Sequence, residues 1–77
     1  METATKTAWW QKIATGVRMQ LFVQRRTITD LAAAMGRGRP YVSRRVNGKE
    51  PFGLDEIEDV AKWLGVSVKS LSGEEDA

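Results

Sequence analysis

The chain is most constrained between residues 27 and 49, TITDLAAAMGRGRPYVSRRVNGK, where three backbone breakers fall at short intervals. Glycine readily takes the left-handed conformation that ends a helix, so Gly36 predicts a stop. Proline is favoured in the first turn of a helix and poor inside one, so Pro40 puts the next start within a residue of Arg39. Asn47-Gly48 is a turn dipeptide. Only two short helices fit between these marks. In the first, Leu31, Ala32 and Met35 fall at i, i+1 and i+4, and the alanines would let a neighbouring helix cross closely. Thr29 is expected to cap it, and Asp30 suits its first turn. In the second, Val42 and Val46 are four apart and face inward. At about 100° per residue, Arg44 then points directly away from the core. Pro40 and Tyr41 lie toward that outer side, with Ser43 and Arg45 on the flanks.

The rest of the chain reads as further helix. Over residues 8–25, Ile13, Val17 and Leu21 recur every four residues, and Met19, Phe22 and Val23 are expected to widen that stripe. Thr7 is the expected N-cap. Gly16 interrupts the pattern at a cost of about 1 kcal/mol relative to alanine. Trp9 and Trp10 point about 100° apart, so one is expected on the core and the other across the surface. Arg25 and Arg26 sit where cations favour a helix C-terminus. Phe52 is the expected anchor of the following loop. Leu54, Ile57, Val60, Ala61 and Leu64 then form a helical stripe that opens with Asp55 and Glu56 and stops at Gly65, with Trp63 at the core edge. Ser67 can cap a last turn carrying Val68 and Leu71. The expected fold class is all-α and the expected organisation is one domain over residues 8–72, with a flexible tail at 1–7 and an acidic tail at 73–77.

Composition removes several kinds of chemistry. The 77 residues contain no cysteine and no histidine. Disulfides, thiolate zinc sites and cysteine nucleophiles are therefore excluded, as are the commonest general base and metal ligand. The serine and threonine hydroxyls have no histidine to activate them. Carboxylates do cluster at Asp55, Glu56 and Asp59, but helix-start acids on a solvated face explain them. No apolar run is long enough to span a bilayer, and the first ten residues lack a signal-peptide layout, so a cytoplasmic, nucleoid-associated protein is expected. No enzyme activity, cofactor, metal or small-molecule ligand is expected.

The net charge of +2 conceals a strong asymmetry. Residues 1–49 hold ten basic and two acidic side chains, whereas residues 50–77 hold two basic and eight acidic ones. A split of that kind points to a nucleic-acid or anionic-surface partner. Binding DNA requires cations to neutralise phosphates and a rigid element that carries side chains to base edges. Residues 37–49 offer five basic side chains and no acid, on a helix with a fixed start. Arg44 faces straight out and Arg39 sits at the N-terminal tip, the end such a helix presents to bases. Arginine can donate two hydrogen bonds to guanine. Tyr41 and Ser43 are further candidates for base contact. Thr29 with the first amides of its helix is a candidate phosphate seat, and Arg45, Asn47 and Lys49 are candidates to hold the backbone.

The pieces ITDLA, MG, YVSRRVNGK and I-x-x-V-A-K-x-L-G-V-S, across roughly residues 13–73, resemble the lambda-repressor-like, Cro-type helix-turn-helix family. The resemblance implies a five-helix bundle of bacterial and phage regulators that bind operators, often as dimers. It implies base-facing positions at Arg39, Pro40 and Arg44, and positions near phosphates at Arg37, Thr29, Asn47 and Lys49. Three departures stand out. Arg45 occupies a place that is often apolar in the family, the apolar residue here being Val46. Pro40 replaces a side chain that often reads a base, and it offers only apolar contact. Asp30 stands where a neutral polar residue is common, and it is expected to brace an arginine, with Arg39 the candidate. The expected function is a sequence-specific double-stranded DNA-binding regulator of the phage or mobile-element repressor type, with a homodimer as a possible partner state. The alternatives are an antitoxin-type regulator that captures a protein, and an architectural or recombination accessory protein.

Overall fold

Five helices make up the regular structure of residues 8–73, the part of the chain that the computed structural model describes. They are α1 (Trp9–Gln24), α2 (Ile28–Met35), α3 (Arg39–Val46), α4 (Leu54–Leu64) and α5 (Val68–Ser72), and no strand occurs among the described residues. The two expected tails, 1–7 and 74–77, and the expected cap at Thr7 lie outside them; Ala8 occupies the N-cap position of α1.

Most of the starts and stops have a local cause. Thr27, rather than Thr29, caps α2: its hydroxyl accepts from the Asp30 N–H at 3.0 Å, and the Asp30 carboxylate accepts from the Thr27 N–H at 2.9 Å. This reciprocal pair requires an acid three residues after the cap, a spacing that Thr27 has and Thr29 lacks. Gly36 ends α2 with φ +69°, and Pro40 lies in the first turn of α3. Asn47-Gly48 turns the chain out of α3, with the Lys49 N–H returning to the Arg44 carbonyl at 2.9 Å. Gly65 stops α4, and the Ser67 hydroxyl accepts from the Ser70 N–H to start α5.

Every helix contributes to one apolar core. Ile13, Val17 and Leu21 of α1 meet Leu31, Val42, Val46, Phe52, Ile57, Val60, Leu64 and Leu71. Of the α2 alanines, Ala32 is buried while Ala33 and Ala34 are exposed. Two expectations for the core are corrected. Met19, Phe22 and Val23 do not widen the α1 stripe; Phe22 is 84% exposed and the other two are also on the outside. Leu54 is 76% exposed, because it stands at the first position of α4, beyond the end of the core. The α1 stripe is narrow because α5, α3 and α4 all approach it from the side of Ile13, Val17 and Leu21. Trp9 is exposed and Trp10 half-buried.

Gly16 marks the closest of these approaches. A Cβ at that position would run into the backbone of Leu71, so only glycine lets α5 lie so near α1. The polar side chains of α1 and the residues just after it close the ends of other helices, whose last carbonyls lack intrahelical donors. Arg18 Nη1 donates to the Val46 carbonyl at 2.6 Å, and Gln24 Nε2 donates to the Leu64 carbonyl at 2.8 Å. Arg26 Nη1 donates to the Trp63 carbonyl at 3.0 Å, with its guanidinium 4.1 Å above the Trp63 ring. Arg25 takes the left-handed C-cap position of α1 at φ 59°. Among the described residues, no helix is long and apolar enough to cross a membrane.

Candidate nucleic-acid interface

The position of α3 is fixed by two side chains. Val42 and Val46 are fully buried, so the helix cannot rotate without exposing one of them. Burying a side chain of this size contributes roughly 1.5–3 kcal/mol, which sets the rotation firmly against any single surface contact. Arg44 consequently faces solvent, and Arg39 and Pro40 are exposed at the N-terminal tip. Thr29 of α2 lies beside that tip: Arg39 Nε donates to its Oγ1 at 3.1 Å. The partner of Arg39 is thus Thr29 and not Asp30, whose carboxylate is engaged in capping α2. Past the other end of α3, Asn47 and Lys49 are exposed, and Asn47 Nδ2 donates to Ser43 Oγ at 3.2 Å. Ser43 itself is half-buried.

The flank of α3 toward α4 is arranged differently. Tyr41 turns in rather than out, and its hydroxyl donates to Glu56 Oε2 at 2.6 Å. Its ring lies between two guanidiniums, Arg45 at 3.5 Å and Arg37 at 4.7 Å. Arg37 also pairs with Glu56 Oε2 at 3.5 Å. The Arg45 side chain is only 15% exposed. Its Nη1 donates to the Tyr41 carbonyl at 3.0 Å and pairs with Glu50 Oε1 at 3.0 Å. Its Nε is buried with no hydrogen-bond partner. Glu56 Oε1 accepts from the Gly53 N–H at 2.9 Å, so one carboxylate joins the start of α4 to the flank of α3.

This cluster shifts two ionisable groups. Accepting a hydrogen bond suits the Glu56 carboxylate, so donation to it favours the protonated phenol and raises the Tyr41 hydroxyl above its ordinary 10.0; burial and the Glu56 charge push the same way, against Arg37 and Arg45. Burial alone would raise Glu56. The Tyr41 hydroxyl, the Gly53 N–H and the two arginines more than offset it and hold the carboxyl below its ordinary 4.5.

Protein-family models, curated proteins and solved structures yield no match to this chain.

Seven of the candidate residues, Thr29, Arg39, Pro40, Ser43, Arg44, Asn47 and Lys49, lie along the outer side of α3 and its two ends. Tyr41 and Arg45 lie on the flank with their polar groups engaged inside the protein, and Arg37 stands between the two settings, its side chain 52% exposed. The outer surface can neutralise anions through Arg39, Arg44 and Lys49 and can offer planar donor pairs from the two arginines. Among the described residues, no group of three His, Cys, Asp or Glu side chains is placed to hold a metal ion.

Two residues were not given their organising roles from the sequence. Glu50 contacts both Arg44 (Nε to Oε2, 3.5 Å) and Arg45, and Glu56 gathers Tyr41 and Arg37. Glu50 carries a sequence signal, because it follows the Asn47-Gly48 turn, which brings the chain back past the end of α3. Glu56 carries none, since its role as a helix-start acid accounts for it fully.

Proposed function

We propose that the chain is a sequence-specific double-stranded DNA-binding transcriptional regulator of the phage or mobile-element repressor type. Under this reading α2, the 36–38 turn and α3 form a helix-turn-helix, and α3 enters the major groove. The observation that carries the reading is the pairing of Arg44, opposite the buried Val42 and Val46, with Arg39 at the N-terminal tip. A helix seated by its apolar side and carrying arginines on the other is what delivery of side chains to base edges requires. The resemblance of residues 13–73 to the lambda-repressor-like family supports it further. Thr29, Asn47 and Lys49, at the two ends of the helix, are then suited to the phosphates on either side. Arg45 and Tyr41 act by holding α3 against α4 rather than by touching DNA.

Selection of bound duplexes from random sequence tests this function. The expected result is one preferred site, with affinity that falls steeply as salt rises because phosphate contacts release counterions. Equal binding to all duplexes would instead favour an architectural role, and no binding would remove the proposal. Sedimentation with the selected site then reads the stoichiometry, a palindromic site at 2:1 being expected if the protein acts as a homodimer. A second reading, capture of a protein partner by an antitoxin-type regulator, draws on the exposed Met19, Phe22 and Val23 of α1.

A further inference from the structure

Arg39 and Arg44 share a feature that no other arginine of the described residues has. Each is approached at Nε by an acceptor from outside α3: Thr29 Oγ1 of α2 at 3.1 Å for Arg39, and Glu50 Oε2 of the following loop at 3.5 Å for Arg44. A guanidinium carries its donors in one plane. An acceptor at Nε occupies the side edge of that plane and leaves Nη1 and Nη2 as an end-on pair. Among the described residues neither pair has a protein partner. The other arginines near α3 lack this freedom. Arg45 has Nη1 bound twice, Arg37 pairs with Glu56 through Nη2, and Arg18 donates through both Nη atoms.

Two parallel donors match an edge with two neighbouring acceptors. In the major groove guanine alone presents such an edge, N7 beside O6; adenine sets a donor beside its acceptor, and thymine a methyl group. Holding the fork in advance also reduces the side-chain freedom lost on docking. Thr29 is suited to the task twice over. Its oxygen accepts from Arg39, while its own proton remains able to donate to a phosphate.

Resting on the duplex-DNA reading above, we infer that Thr29 and Glu50 are positioning residues that set Arg39 and Arg44 as two guanine readers, so that the preferred site carries guanine at two positions, each belonging to one arginine and its brace.

The test is selection from random duplexes with the full chain and its variants, each first checked for an unchanged melting transition. Arg39→Ala and Arg44→Ala should each erase a guanine preference at one position, by roughly tenfold or more. Thr29→Val should weaken the guanine preference at the Arg39 position by roughly threefold to tenfold, beyond any uniform loss from its phosphate contact; Thr29→Ser should restore it, and Thr29→Val should change no base preference further in the Arg39→Ala background. Glu50→Ala should do the same at the Arg44 position and add nothing there once Arg44 is alanine. The inference is overturned if either arginine's position prefers another base. It is equally overturned if the brace variants leave base preference intact and change affinity only alike on all sequences, as Glu50→Ala would by tightening binding everywhere if Glu50 merely repelled phosphate. A native protein that selects no site at all would instead defeat the DNA reading itself, so the two failures are distinct.

Discussion

The outer side of α3 and its flank toward α4 are built from the same residue type and put it to opposite uses. On the outer side, Arg39 and Arg44 each touch the protein at one nitrogen and present the rest of the guanidinium to solvent. On the flank, Arg37 and Arg45 stack on Tyr41 and pair with Glu56 and Glu50. The Arg44 side chain is 49% exposed and that of its sequence neighbour Arg45 is 15% exposed. Net charge therefore says little about which cations can meet a ligand. What separates them is azimuth about the Val42–Val46 line, together with the acceptor that each azimuth meets.

The largest expected effects test that division directly. If α3 reads duplex DNA as proposed, Arg44→Ala should cost about 1–3 kcal/mol of discrimination at one base pair and leave the melting temperature unchanged. Arg45→Ala should show the converse, a loss of about 1–2 kcal/mol of folding stability from the lost stacking and packing, with base preference retained. Binding selection and thermal melting of both variants give four readings. If Arg45→Ala relaxed base preference while leaving stability alone, the flank would belong to the reading surface and the division would collapse.

Next in size is Tyr41→Phe. It keeps the ring between the arginines and removes only the hydroxyl that donates to Glu56. The loss of one hydrogen bond to a charged acceptor should lower stability by roughly 1–2 kcal/mol. DNA affinity measured well below the melting temperature should not move. A fall in affinity confined to one base would show that Tyr41 leaves its partner and turns outward on binding.

Much of this division was legible in the residues, and the illegible part has a common cause. The breakers at Gly36, Pro40 and Asn47-Gly48 act through their own backbones, and they bound α2 and α3 as expected. Val42 and Val46 gave the rotation of α3, because a four-residue apolar spacing leaves one inward direction. Tyr41 was expected outward because its azimuth alone says so. It turns instead to Glu56, fifteen residues further on, an acceptor that no periodicity reveals. Phe22 and Leu54 were expected inside because apolar residue type does not show where neighbouring helices lie: Phe22, next to the buried Leu21, faces away from the side that they approach, and Leu54 stands at the first position of α4, beyond the end of the core. Gly16 lowers the helix propensity of α1, and the reason lies in a distant element: the Leu71 backbone of α5 passes too close for a Cβ. Alanine there should therefore destabilise the protein, against the usual gain from replacing a helical glycine. The offset of the α2 cap from Thr29 to Thr27 is a local error, since the Asp30 spacing contained the answer.

On the proposed DNA reading, a smaller effect separates phosphate contacts from base readers on the outer side itself. Lys49 is exposed just past α3 and has no ion pair within the described residues. Lys49→Ala should weaken binding uniformly across sequences and reduce the magnitude of the salt slope by about one. A change in the preferred sequence, with the slope intact, would move Lys49 among the base readers.

The pH dependence of stability isolates the flank without any DNA. The Glu56 carboxyl is held below its ordinary 4.5 in the folded protein, so between that value and the lower folded one the unfolded chain binds more protons. Stability from Glu56 is therefore fully present above 4.5 and is lost as pH falls through the folded value. Tyr41 has the opposite sign. Its hydroxyl is raised above 10.0, so its contribution is complete below 10.0 and is lost as pH rises through the folded value. Glu56→Gln removes the acid-side loss and, by deleting the charge that Tyr41 faces, also reduces the alkaline one. Denaturant melts of the native protein and this variant, from about pH 3 to pH 6, should differ in slope on the acid side. Thr29→Val, on the outer side, should leave that slope as it is. Parallel acid limbs for native protein and Glu56→Gln would mean that the flank is held by packing of Tyr41 and Arg45 alone, with the carboxylate adding nothing that protonation removes.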